Sequence, residues 1–331
     1  MSQENPEDRK AAAPGIEGYF RNIIVLNQAF SEEGRQFQDS HAPSPSEGPG
    51  KDRAVLWLGC NVLRTPHLAQ VAMKIVSMVN PELSILGGPS HCCGSPMPEK
   101  GDRERALTRT IGHFQAEQAP TLVSWCPSCH TNLRKGSDPS SWGFEELHVT
   151  EFIARHLERL QFGQRLSARV LLHGHTGTPD RDRDMEYCRK LLGAVPGVTI
   201  VAEHADSDLG LHCVPVLLNP QIGMDTFERK LQELLTGASE AGADMLVTIY
   251  HSCYRELEKR SNPDALVVEN YITLLAKALD IPVPANVYRE IAHGGNTRLA
   301  QLKCDADAGF IDSGDVEKAV RAEFPSLHGK S

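Results

Sequence analysis

At 331 residues the chain has room for one large domain or two of about 150. Its 40% hydrophobic and 23% charged residues are those of a folded globular protein. A formal charge of −9 argues against a general nucleic-acid binder or adhesion to an anionic membrane, and no apolar run approaches the ~18 residues of a transmembrane helix.

The first residues, MSQENPEDRKAAAPG, lack an apolar signal core, so a cytoplasmic location is expected. Residues 40–53, SHAPSPSEGPGKDR, are too rich in Pro, Ser and Gly to bury much apolar surface. Residues 1–52 therefore read as a flexible arm with one apolar docking segment, 18–30, which meets the chain's own domain or a partner. From residue 53 short apolar runs alternate with helical patterns. The strand run 54–58 leads into Cys60, 83–86 into Cys92 and Cys93, and 121–125 into Cys126. Between them, Leu68, Val71, Ala72, Ile75, Val76 and Val79 mark one face of a helix, and 102–118 forms a second. This alternation predicts an α/β fold with parallel strands. Sites in such sheets form at the carboxyl ends of the strands, where the cysteines fall.

The pattern then recurs, offset by 116–124 residues. Strand runs 169–172, 198–202 and 245–249 lead into His173 and His175, His212 and Cys213, and Tyr250, His251 and Cys253. Helix 225–243 takes the place of 102–118. In this alignment Thr176 stands for Cys60, His212 and Cys213 for Cys92 and Cys93, Tyr250 for Cys126, and Cys253 for Cys129. Domain limits follow: an arm over 1–52, a first half over 53–164, a degenerate second half over 165–284 and a C-terminal helical extension over 285–331.

Nine cysteines are many for a reducing compartment, where disulfides do not persist, so metal or redox chemistry is their expected role. Zinc needs four ligands. Five clustered thiols exceed that need and also suit iron–sulfur chemistry. Gly94 would let the backbone approach the centre. In the second half, Cys213 and Cys253 lie near His173, His175, His212 and His251. That set reads as a redox or sulfur-handling dithiol with His212 and His251 beside it, as a Cys2His2 zinc site, or as a vestige that only packs. Cys188 falls on a helical pattern and reads as core, Cys304 as a bystander, and residues 293–296 as a turn. No nucleotide or flavin fingerprint occurs.

The spacing C-x31-CCG-x32-CPSC over Cys60, Cys92, Cys93, Cys126 and Cys129 resembles the CCG cysteine-rich domain of the heterodisulfide reductase B-type subunits. The resemblance covers about 53–280 and implies a pseudo-twofold tandem repeat of two α/β CCG-type halves. It further implies that those five cysteines hold a noncubane [4Fe-4S] cluster built of two fused smaller clusters. A second such cluster has no ligand set at Thr176, His212, Cys213, Tyr250 and Cys253. This departure is similar to the heterodisulfide reductase-like B-type subunits of bacterial sulfur oxidation, which work in a complex on protein-bound sulfur. The implied function is an iron–sulfur redox subunit acting on a thiol, disulfide or protein-bound sulfur. Its implied partners are iron–sulfur and flavin subunits, and a sulfur-carrier protein. The alternatives are a zinc-stabilised scaffold subunit and a cluster-free dithiol enzyme using Cys213 and Cys253.

Overall fold

Apolar runs bounded by Gly and Pro become strands, and the amphipathic stretches between them become the helices that cover both faces. The computed structural model describes residues 15–31, 40–41, 52–210, 212–214, 221–307 and 311–329. The chain opens with helix α1 (Ile16–Phe30) and the two-residue strand β1 (Ser40–His41). The first half then follows as β2 (Ala54–Gly59), α2 (Pro66–Val79), β3 (Leu83–Gly87), α3 (Lys100–Ala116), β4 (Thr121–Ser124), α4 (Pro127–Gly136), β5 (Glu145–His148) and α5 (Val149–Arg155). The second half repeats it as β6 (Ala168–His175), α6 (Pro179–Ala194), β7 (Val198–Asp206), α7 (Met224–Glu240), β8 (Met245–Thr248), α8 (His251–Glu258), β9 (Val267–Asn270) and α9 (Tyr271–Ala278). Helices α10 (Val287–Asp307) and α11 (Ser313–Glu323) close the described chain.

The strand orders are β1-β3-β2-β4-β5 and β7-β6-β8-β9. Among the described residues all pairings are parallel except β1 on β3. The fold is thus a tandem α/β repeat, with β3, β2, β4 and β5 matched by β7, β6, β8 and β9. Register ties the halves residue by residue. Trp57 pairs with Ser124 and its carbonyl accepts from the Trp125 amide at 3.2 Å. His173 pairs with Thr248 and its carbonyl accepts from the Ile249 amide at 3.3 Å. Counting on from these pairs sets Thr176 at the place of Cys60, Tyr250 at that of Cys126 and Cys253 at that of Cys129.

The second sheet extends further than its apolar runs suggest. Strand β6 carries His173, Gly174 and His175 inside it, because pairing with β7 continues to His175 opposite Asp206. Gly174 does not break the strand; a Cβ there would lie 2.7 Å from Met185 Sδ and 3.0 Å from Ile249. The expected turn at 293–296 is instead a kink at Gly295, whose φ of 56° lies inside α10. Cys188 is fully buried on α6, as its helical setting implied, and Cys304 is exposed.

The apolar segment of the arm docks on its own chain. Ile23, Val25, Leu26 and Phe30 of α1 are buried, and the helix packs on α11 and on the turn 61–64 after Cys60. Asn27 donates to the Leu63 carbonyl at 3.1 Å, and Phe30 meets Tyr288 edge-on. This face is covered from within, so it is not open to a partner. The rest of the expected arm, 1–14, 32–39 and 42–51, lies outside the described residues.

One buried carboxylate joins the ends of the fold. Glu323 on α11 accepts from Arg64, from Arg255 at 2.8 Å and from Tyr288 Oη at 2.8 Å. Arg64 sits four residues past Cys60 and Arg255 two past Cys253, so α11 pins both cysteine turns. Burial works against this charge, but Arg255 and Arg64 hold the Glu323 carboxyl well below its usual range. Glu323→Gln should cost about 3–5 kcal/mol, because two guanidinium groups lose their buried counter-charge. A carboxyl depressed in the fold contributes stability above its unfolded pKa of about 4.5 and loses that contribution as pH falls. The gap in denaturant midpoint between the wild type and Glu323→Gln should therefore be constant near pH 7 and narrow below pH about 4.5.

Candidate functional site

Each of the five first-half thiols is set by the end of a strand. Cys60 follows β2, Cys92 and Cys93 follow the turn after β3, and Cys126 caps α4 with Cys129 in its first turn. All are at most 4% exposed and unbridged. The Cys92 loop is held by the Trp57 indole, which donates to the His91 carbonyl at 2.8 Å, and by Thr110, which donates to the Cys92 carbonyl at 3.0 Å. Pro127 at the first position of α4 leaves its remaining amide donors free to favour negative charge at Cys126.

Each thiol acts on the next, Cys60 on Cys92, Cys92 on Cys93, Cys93 on Cys129 and Cys129 on Cys126. Cys60 is pushed well up, chiefly by its hydrogen bond to Cys92, and Cys129 by its bonds to Cys126 and Cys93. Cys92 is drawn down by bonds from Cys60 and Cys93. Cys126 is drawn down by Cys129 and, against its burial, by His251 of the second half. The five thiols are thus pushed apart, Cys92 and Cys126 downward and Cys60, Cys93 and Cys129 upward, because like charges in one buried array oppose one another.

A glycine makes room for this array. Gly59 has φ +72°, and a Cβ on it would lie 2.9 Å from Cys129 Sγ and 3.0 Å from Cys126 Cβ. Gly94 brings the backbone up to the cysteines, as expected, and also lets α3 pack closely against it. Its absent Cβ would collide with the backbone of α3, 2.6 Å from the Arg103 carbonyl oxygen, while its amide donates to Cys92 Sγ at 3.3 Å.

The second half gathers a smaller set. Ligand atoms of His173, His175, Cys213 and Cys253 all lie within 4.8 Å of one another, and none of the four residues is more than 1% exposed. His175 Nε2 is 3.1 Å from Cys253 Sγ and 3.6 Å from Cys213 Sγ, and His173 Nε2 is 3.5 Å from Cys213 Sγ. Behind them, His175 Nδ1 lies 2.8 Å from the Gly210 carbonyl. That bond needs a proton on Nδ1, which leaves the Nε2 lone pair facing the sulfurs. Burial opposes ionisation of Cys253, but Cys213, His175 and His173 draw its thiol well below the usual value. Two imidazoles and two thiols converging in this way form a closed four-donor pocket suited to a single ion.

Cys213 and Cys253 do not follow adjacent strands as the repeat suggested. Strand β6 runs between β7 and β8, and for that reason its His173 and His175, two residues apart on one face, stand between the two thiols. The other two histidines point elsewhere. His212 Nε2 is 2.8 Å from Ser128 Oγ, within the first half's CPSC turn, and its Nδ1 is 3.3 Å from Ser252 Oγ. Burial pushes the His212 pKa down to about 3. His251 stands edge-on to Trp125, beside Cys126. Of the four histidines expected around Cys213 and Cys253, His212 and His251 instead face the turn of the first cysteine array. Gly59 and the closer pairing of His173 and His175 were the missed elements. A glycine directly before a strand-end cysteine and a His-x-His on a strand were the available signals.

With this geometry in place, comparison with known proteins is informative. Residues 54–134 match the family model described as CCG, cysteine-rich domain. This segment is a CCG cysteine-rich domain. The chain is 23% identical over 300 residues to the D-type subunit of dihydromethanophenazine:CoB–CoM heterodisulfide reductase from Methanosarcina acetivorans, covering 84% of this chain and 70% of that one. Among solved structures, a hypothetical protein from Helicobacter pylori aligns with TM-score 0.47 and 10% identity, over 82% of this chain; the chain spans 56% of its length. An aspartate racemase homologue from Pyrococcus horikoshii aligns with TM-score 0.30 and 12% identity, over 69% of this chain and 98% of that one. Likenesses so slight assign neither fold nor function. The CCG domain and the link to a heterodisulfide reductase agree with the resemblance carried by the cysteine spacing.

Gly59→Ala tests the cradle of the CCG domain. A left-handed φ costs an L-residue about 1–2 kcal/mol, and the new methyl would push into Cys129. The variant should fold with a lowered melting temperature yet take up clearly less metal at the five cysteines when reconstituted anaerobically. Equal uptake would show that the array has room to spare.

Proposed function

We propose that the chain is an iron–sulfur redox subunit of a heterodisulfide reductase-like complex, exchanging electrons with a thiol, a disulfide or a protein-bound sulfur. The carrying observation is the five-thiol array of the CCG domain. Its five sulfur donors exceed the four that a single zinc takes, its glycine cradle leaves space against Cys126 and Cys129, and its donors are all soft. These features fit a polynuclear iron–sulfur group better than one ion. Cys60, Cys92, Cys93, Cys126 and Cys129 would hold it as a noncubane [4Fe-4S] cluster, which when bound supplies electron transfer. The chain's own residues do the rest. The α4 N-terminus favours thiolate at Cys126, Asn132 Nδ2 lies 3.7 Å from Cys93 Sγ, and burial excludes water from the sulfurs.

In the second half we assign zinc to His173, His175, Cys213 and Cys253. Two features favour this over a working dithiol. The His175 tautomer is fixed with its lone pair inward, and the four ligand atoms all lie within 4.8 Å of one another, as a single ion needs. The dithiol reading, with His212 and His251 as helpers, is the alternative.

This reading takes 53–164 and 165–284 as the two halves, between the arm 1–52 and the extension 285–331. The matched relative is itself named as one subunit of a heterodisulfide reductase. That name supports a role as one subunit of a complex; iron–sulfur and flavin subunits, a sulfur carrier and a cytoplasmic location are the partners and place we propose from the cysteine-motif resemblance and the N-terminal sequence. Among the described residues no helix is long and apolar enough to cross a membrane.

Anaerobic purification and metal analysis decide between the readings. The wild type should be brown, with about four iron and four sulfide per chain and one zinc. Cys93→Ser should lose or convert the iron centre and keep the zinc. Conversely, Cys253→Ser and His175→Ala should lose the zinc and keep the iron spectrum. A colourless protein holding zinc alone would favour the scaffold reading. Zinc-free protein whose Cys213 and Cys253 react as a disulfide would favour the dithiol enzyme.

A further inference from the structure

The turn Tyr250–Cys253 is the second half's counterpart of Cys126-Pro127-Ser128-Cys129, and the two turns face each other. His212 clasps them, with one ring nitrogen on Ser128 and the other on Ser252. Beside this clasp His251 is 1% exposed, and neither of its ring nitrogens has a hydrogen-bond partner among the described residues. Its ring is held edge-on by Trp125, centroid to centroid 6.1 Å. The Trp125 indole Nε1 is also buried without a partner. Buried polar groups are normally paired, and one left unpaired marks a place where a bound group completes the site. Cys126 directly follows Trp125, in the turn whose Ser128 is joined through His212 to Ser252, the residue after His251.

We propose that His251 donates an N–H hydrogen bond to the sulfur of Cys126 when that thiolate is a ligand of the first-half centre. The degenerate second half would thereby set the reduction potential of the centre it cannot itself duplicate. This rests on the reading of Cys126 as a cluster ligand. A hydrogen bond to a ligating sulfur withdraws electron density from it and stabilises the reduced state, so the potential rises. His251 is in this sense a positioning and tuning residue, acting through Cys126. His212 is unsuited to the role, since both its nitrogens are already engaged.

The test uses the full chain, purified anaerobically with its centre in place. His251→Leu should retain the wild-type iron content and shift the reduction potential to a more negative value. His251→Gln, which restores a donor, should recover part of the shift. Independently of any variant, pulsed EPR on wild-type protein grown with ¹⁵N-histidine should show a histidine nitrogen coupled to the reduced centre, and His251→Leu should remove it. An unchanged potential in His251→Leu, or no histidine coupling in the wild type, overturns the proposal and leaves the proposed function standing. A wild type without an iron–sulfur centre overturns both.

Discussion

Five thiols packed into a water-free space at one edge of a sheet cannot all ionise together. Without a cation their acidities diverge, with Cys92 and Cys126 drawn down and Cys60, Cys93 and Cys129 pushed up. A metal centre removes that conflict, because its charge allows every thiolate at once. Much of the surrounding structure keeps the array in place until then. Trp57 and Thr110 tether the Cys92 loop, Gly59 clears the space beneath Cys129, and α11 pins the turn after Cys60 through Arg64 and Glu323.

The second half shows what became of lost ligands. Tyr250 occupies the place of Cys126, fully buried. Its hydroxyl donates to Asp184 at 2.6 Å and accepts from Arg181 at 3.0 Å. Arg181 lies 4.8 Å over the Tyr250 ring and donates to the Pro127 carbonyl at 3.1 Å. A former ligand position has thus become an inter-half bolt, closing on the turn that carries Cys126 and Cys129. His212 adds a second clasp through Ser128. The second half thus ties down the turn of the first through Arg181 and His212, and keeps a smaller donor pocket of its own.

The cysteine array and the repeat were legible in the sequence, because each cysteine follows a short apolar run and that local pattern repeats at matching positions. Which two of the four histidines His173, His175, His212 and His251 meet Cys213 and Cys253 was not. Pattern places a residue after a strand; it does not say which strands are neighbours. Strand β6 lies between β7 and β8, and only this order carries a His-x-His between two thiols that are 40 residues apart in the chain. The apolar segment 18–30 was likewise visible as something that docks. Its partner, α11, lies nearly the whole chain away, and periodicity carries no information about contacts at that distance.

The sequence by itself determined the α/β repeat, the five thiols at strand ends and the loss of that set in the second half. Those features depend on local periodicity, on residue type and on spacing. The tertiary structure decided which histidines meet which sulfurs, that Gly59 makes room for the cysteine array, and that the arm's helix closes on the chain's own C-terminus. Those outcomes depend on strand order and on the crossing of two halves, where side chains distant in sequence share one excluded volume and one set of buried charges.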